Sequence, residues 1–291
     1  MNPARIFGMI ASIFLLIPAA HAQVLSDAPK VGDTYEITMT SDSSQQGSNG
    51  SSGSSHDKDT IIERVTGLRA DGLELEYDLP KSSTAEEMAS NWQFPARVFK
   101  PLRGPAELLN GAELETRLDG WLKAARWSRA VCGRWIFTWN AFRIECDPQS
   151  VLKTIDAFDL RSADLREGAA YQDASALATG TLVRKTSGAD GATYSVEMPV
   201  DPDAVRRAHA ETDVATGEIL NKPVTLDAAL QARAKENISG TISIVFETDP
   251  HGNVFRRTRV TTLKITKADG GSETDSTTQT LERRLISSTA K

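Results

Sequence analysis

DTYEITMTSDSSQQGSNGSSGSSHDKDTIIERVTGL, residues 33–68, decides how the rest of the chain is read. Its first eight residues alternate: Tyr35, Ile37 and Met39 share one face, and Thr34, Glu36, Thr38 and Thr40 share the other. That period of two marks a half-buried strand. Its last ten, 59–68, are rich in β-branched residues and read as a second strand. Between them, residues 41–59 hold eight serines and three glycines in 19 positions. Such a run has little apolar surface with which to offset the entropy of ordering. The expectation is therefore a hairpin whose overlong tip, 42–58, is disordered, with the sheet continuous across it.

Three Ala-Asp-Gly turns, at Asp71-Gly72, Asp190-Gly191 and Asp269-Gly270, sit between strand-like runs and predict further hairpins. With Asp-Gly as a two-residue loop, Leu68 faces Leu75, Arg184 faces Glu197 and Lys264 faces Asp275. The C-terminal block predicts a meander of long strands, 240–248, 254–266 and a threonine-rich strand to about residue 285. Helices are expected between the β blocks. Leu114, Leu118, Trp121, Leu122 and Ala125 form one stripe over 112–127. Asp147-Pro148 opens a second helix with Val151, Leu152, Ile155 and Phe158 inward. Asp201-Pro202 opens a short one over 202–210, and Thr225 caps another over 226–236. The fold class that follows is α+β: a strongly bent, mainly antiparallel, half-barrel-like sheet with several helices packed on one side.

The N-terminus carries Arg5, a 12-residue apolar stretch from Ile6 to Ile17, and Ala20-His21-Ala22. This reads as a secretory signal peptide, Met1–Ala22, cleaved before Gln23. Twelve residues fall short of the roughly 20 that span a bilayer, and Gln23 in place of cysteine gives no lipid anchor at that site. Residues 23–291 are expected to form a single domain, periplasmic or secreted. Two cysteines, Cys132 and Cys146, fit a disulfide in an oxidising compartment. A formal charge of −6 argues against nucleic acid as a partner.

No catalytic, cofactor or metal site follows from the sequence. His56, His209 and His251 lack the paired spacing of a metal motif. The serine-rich run contains no G-x-S-x-G. The densest feature is aromatic: Trp121, Trp127, Trp135 and Trp139 fall within 19 residues around the cysteines. They are candidates for a ligand or partner surface, or for the core beneath the sheet. A basic stripe, Arg256, Arg257, Arg259, Lys264 and Lys267 with Arg283 and Arg284 on the next strand, faces either an anionic ligand or acids on adjoining strands. These readings lead to a non-enzymatic binding protein for a lipid or other apolar ligand, or for an envelope protein. A hydrolase with acids assembled only in three dimensions and a purely structural module are the alternatives.

Overall fold

The structure, a computed structural model, describes residues 29–137, 141–161 and 165–288. The signal segment Met1–Ala22 and Trp139 lie outside them. The N-terminal half supplies β1 (Thr34–Gly47), β2 (Ser52–Arg69), β3 (Gly72–Asp78), α1 (Ala85–Ser90), β4 (Ala96–Pro101) and β5 (Glu107–Leu108). Then follow α2 (Gly111–Ala124), a hairpin of β6 (Trp135–Phe137) and β7 (Ala141–Arg143), and α3 (Ser150–Ala157). A second small pair, β8 (Ala170–Tyr171) and β9 (Gly180–Thr181), leads to β10 (Val183–Gly188) and β11 (Gly191–Pro199). The chain ends with α4 (Pro202–Ile219), α5 (Leu226–Arg233), β12 (Asn237–Thr248), β13 (Val254–Thr266) and β14 (Ser272–Ser287).

Ten strands form one open antiparallel sheet in the order β10-β11-β12-β13-β14-β1-β2-β3-β4-β5. Two sequential meanders are thus joined at one seam, where the first strand pairs with the last from Thr34↔Ser287 to Gly47↔Glu273. With five α-helices among the described residues, this is the antiparallel α+β architecture expected.

The serine-glycine run corrects the sequence reading. It is not a disordered loop: β1 runs to Gly47 and β2 begins at Ser52, leaving only Ser48-Asn49-Gly50-Ser51 between them, and Gly50 supplies a φ of 83°. The expectation counted apolar burial alone. Here β1 lies between β14 and β2 along its length, so its main-chain groups are satisfied on both sides. Side chains add a ladder across the hairpin, with Ser43 to Ser55 at 2.8 Å and His56 Nδ1 to Asp42 Oδ1 at 2.7 Å.

The Asp-Gly registers also shift. Arg69 pairs with Gly72 and Gly188 with Gly191, so Ala-Asp occupies each two-residue loop, and bulges follow between Val65 and Gly67 and between Arg184 and Thr186. Gly72 is needed for close packing: a Cβ there would lie 2.3 Å from the Lys100 carbonyl oxygen of β4. The third turn is a longer loop, placing Leu263 rather than Lys264 opposite Asp275. Helix α3 starts three residues after Asp147, whose side chain accepts from Gln149 N instead of capping the helix. Helix α4 extends to Ile219 rather than ending near 210.

Both cores lie on one face of the sheet. One row of directly opposed residues shows this: Tyr194, Phe246, Arg257, Leu281, Met39, Asp59. The first core packs Leu114, Leu118 and Leu122 of α2 and Val151 and Ile155 of α3 on Ile37, Ile61, Val65 and Leu75. The second packs Val205 of α4 on Val196, Ile242, Ile244 and Phe246. Between them the same face turns polar, and Arg259 is held there by both carboxylate oxygens of Asp173, at 2.9 and 3.2 Å.

Candidate functional site

The space beneath α2 is filled, since Leu114, Leu118 and Leu122 are at most 3% exposed. Any apolar site must therefore lie beside this core. It does so at α1, where the chain leaves β3 and crosses to β4. Strand β3 reaches only as far as the pair Ile62↔Asp78, so Ser52–Ile61 of β2 pair with β1 alone and present an open edge. Against that edge lies a groove of about 630 Å³. Met39 and Ile61 of the sheet, Phe158 at the end of α3, Leu79 and Pro80 of the crossing segment, and Phe94 give it apolar walls. Ser82, Ser83, Asn91 and Thr154 give it hydroxyl and amide groups, and Lys58 and Asp59 line its open side.

On the other side of α1 lies a second groove of about 690 Å³. Met88 and Ala89 of α1, Trp92, Phe94, and Gly120 and Trp121 of α2 line it. Gly120 borders open space in this groove: a Cβ built there would meet nothing within 4 Å. Phe94 belongs to both grooves.

The helix between them is held locally. Thr84 and Glu87 form a reciprocal capping box, with Glu87 N donating to Thr84 Oγ1 at 3.1 Å and Thr84 N to Glu87 Oε2 at 2.7 Å. Yet α1 has no buried residue. Its far end is fixed by Arg117 of α2, which donates to the Pro95 carbonyl at 2.9 Å, the Trp92 carbonyl at 3.5 Å and Glu113 at 2.6 Å.

Three of the four tryptophans singled out by sequence lie among the described residues. Trp121 lines the second groove, and Trp127 meets it edge-on at 5.5 Å between ring centroids. Trp135 lies in the small hairpin paired with Arg143. Trp92, the fifth tryptophan, is 7% exposed and belongs to both the first core and the groove lining. Cys132 and Cys146 form the expected disulfide, with S–S 2.02 Å.

Below the first groove's sheet wall is a buried charge cluster that sequence reading missed. Glu63, 2% exposed, accepts from Arg161 Nη2 at 2.6 Å, Arg283 Nη2 at 2.8 Å and the Tyr77 hydroxyl at 2.8 Å. Burial alone raises its carboxyl pKa, but the two guanidiniums outweigh this and hold it at about 2. The signal was present: Ile61, Glu63 and Val65 alternate onto one face, which puts a carboxylate on the dry side.

The basic stripe divides between the two faces, and most of its cations meet acids. Arg256 meets Glu282 at 3.1 Å and Arg284 meets Glu36 at 2.8 Å, while Arg259 and Arg283 face inward as described. The histidines are dispersed. His209 of α4 alone faces a polar cleft, of about 390 Å³, with Glu236, Glu273 and Asp275. Gln45 and Lys267 hold the Glu273 pKa low, and burial beside Glu273 pushes Asp275 up. Among the described residues, no group of histidines, cysteines and acids is placed to hold a metal ion.

The chain matches no family model and no curated protein. Among solved structures, "Lipid-protein interactions in lipovitellin" is similar over 90% of this chain at 10% identity and a TM-score of 0.41. This chain spans 26% of that lipovitellin chain. A likeness of that degree fixes neither architecture nor ligand.

Proposed function

We propose that the protein is an exported, non-enzymatic binding protein that takes an apolar ligand beside Phe94. The observation that carries this is the groove of about 630 Å³ floored by Met39, Ile61, Phe94 and Phe158, contiguous with the first core yet open to solvent. Its size lies within the range of small-molecule sites, and its mixture of apolar walls with a few polar groups is theirs as well. The disulfide supports export to a periplasmic or extracellular compartment. No helix among the described residues is long and apolar enough to cross a membrane. The same proposal gives the sheet a half-barrel curvature, with the grooves on its helix-bearing side. Incubating the purified protein with envelope lipid extract, followed by native mass spectrometry, tests it. Retained lipid that is lost on Phe94→Asp supports the reading, and a ligand-free protein at every lipid concentration overturns it.

A hydrolase is the second reading, favoured by the cleft that brings His209 near Glu273 and Asp275, two carboxyls whose proton affinities are driven apart. It requires turnover of an ester, glycoside or phosphoester that Asp275→Asn abolishes.

A further inference from the structure

The two grooves at α1 share Phe94 in their walls. Helix α1 is six residues long, buries no side chain, and stands between them, with Phe94 exposed to both. It is anchored through its capping box and through carbonyls beyond its C-terminus, not through packing onto the core.

The ends of this path differ in charge. In the first groove Lys58 and Asp59 have no ion pair among the described residues. In the second, the cation Arg117 is already committed to the Pro95 and Trp92 carbonyls and to Glu113. One end therefore offers both signs of charge, and the other offers indole rings, the open side of Gly120 and, of free charge, only the Glu86 carboxylate on α1.

We propose that the ligand is a single-chain amphiphile with a zwitterionic head, threaded beneath α1. The head lies at Lys58 and Asp59, and the chain passes Phe94 and ends between Trp92 and Trp121. This rests on the apolar-ligand reading and adds the head-group class, the direction and the chain count. A two-chain lipid would have to place its second chain in the same passage. Lysophosphatidylethanolamine fits: its phosphate meets Lys58 and its ammonium meets Asp59.

The test uses the full exported chain and lysophosphatidylethanolamines of increasing chain length, read by calorimetry. Affinity is expected to rise about tenfold for every two methylenes while the chain still gains groove, since each buried methylene contributes about 0.8 kcal/mol. Gly120→Leu adds a side chain to the far groove from a Cβ position with no neighbour within 4 Å, and it improves helix propensity. It is expected to remove the gain from the longest chains, leave short ones unchanged, and leave the melting temperature no lower. Bromine near the methyl end of the chain is expected to quench tryptophan fluorescence more than bromine near the head, a difference lost in Trp92→Phe combined with Trp121→Phe.

Binding that is indifferent to Gly120→Leu, or equal quenching by both brominated lipids, overturns the threading while the apolar-ligand reading stands. Stearate binding as tightly as the zwitterion overturns the head-group assignment. Absence of binding by every amphiphile overturns both this proposal and the reading beneath it.

Discussion

Glu63 of β2 reaches Arg283 of β14 at 2.8 Å across 220 residues of sequence, over the strand β1 that separates them. The guanidinium carbon of Arg283 sits 3.3 Å from the centroid of Tyr35 of β1. One carboxylate thus ties three adjacent strands of the seam together and also takes Arg161 from beyond α3. Replacing it by Gln strands two guanidiniums in a buried place. Glu63→Gln is expected to cost about 3–5 kcal/mol in urea unfolding at neutral pH.

The same group sets an acid limit. Its folded pKa of about 2 lies below the ordinary 4.5, so its stabilisation is complete above about 4.5 and is lost as pH falls toward 2. Urea unfolding at pH 7 and pH 3 should show this component of the loss in the native chain. It amounts to about 3 kcal/mol when fully removed. The component should be missing in Glu63→Gln.

Packing beneath α2 is equally open to test. Leu118 is 0% exposed and belongs to the first core. Leu118→Ala is expected to cost about 2–5 kcal/mol through lost burial and the cavity left behind. A change below about 0.5 kcal/mol, the scatter of surface substitutions, would mean that the space is not filled.

Hydrogen exchange distinguishes the paired hairpin from a loose loop. Amides of Ser43 to Gln46 lie between two partner strands and should be protected well beyond random-coil rates. On β2, whose edge at Ser52–Ile61 is open, alternate amides should exchange fast. Uniform rapid exchange across 42–58 would restore the disordered loop.

Opening the disulfide tests the segment carrying the cysteine pair. The bond closes a loop of sequence separation 14, and Cys132→Ser with Cys146→Ser is expected to cost about 3 kcal/mol on the chain-entropy account. Neither cysteine lines the grooves at α1, so lipid retention at low temperature should survive the change.

Much of the sheet could be read from alternation. Tyr35, Ile37 and Met39, and Ile242, Ile244 and Phe246, announce strands because each buries every second side chain. The stripe Leu114, Leu118, Leu122 announces α2 for the same reason. The serine-rich arms gave no such signal, because main-chain pairing with β14 holds them and that partner lies more than two hundred residues away. The grooves were illegible for a related reason. They are spaces left by an unpacked six-residue helix, and Trp92 and Phe94, which shape them, stand in a segment without helical or strand periodicity. Of the tryptophans that stand out in the sequence, Trp121 lines the site, and Trp92, which stands apart from them, shares that lining.

The seam between β1 and β14 also sets a timetable for folding. Strand β1 can pair with β2 as soon as the first hairpin exists, but its other edge stays open until residues 272–287 are available. The chain must keep that edge free of strangers while almost all of it is synthesised and delivered. Waiting strands recruit neighbours through flat apolar surface, and the distal half of β1, Ser41–Gly47, has none to offer. Its low hydrophobicity lets an unpaired strand wait safely for the other end of its own chain.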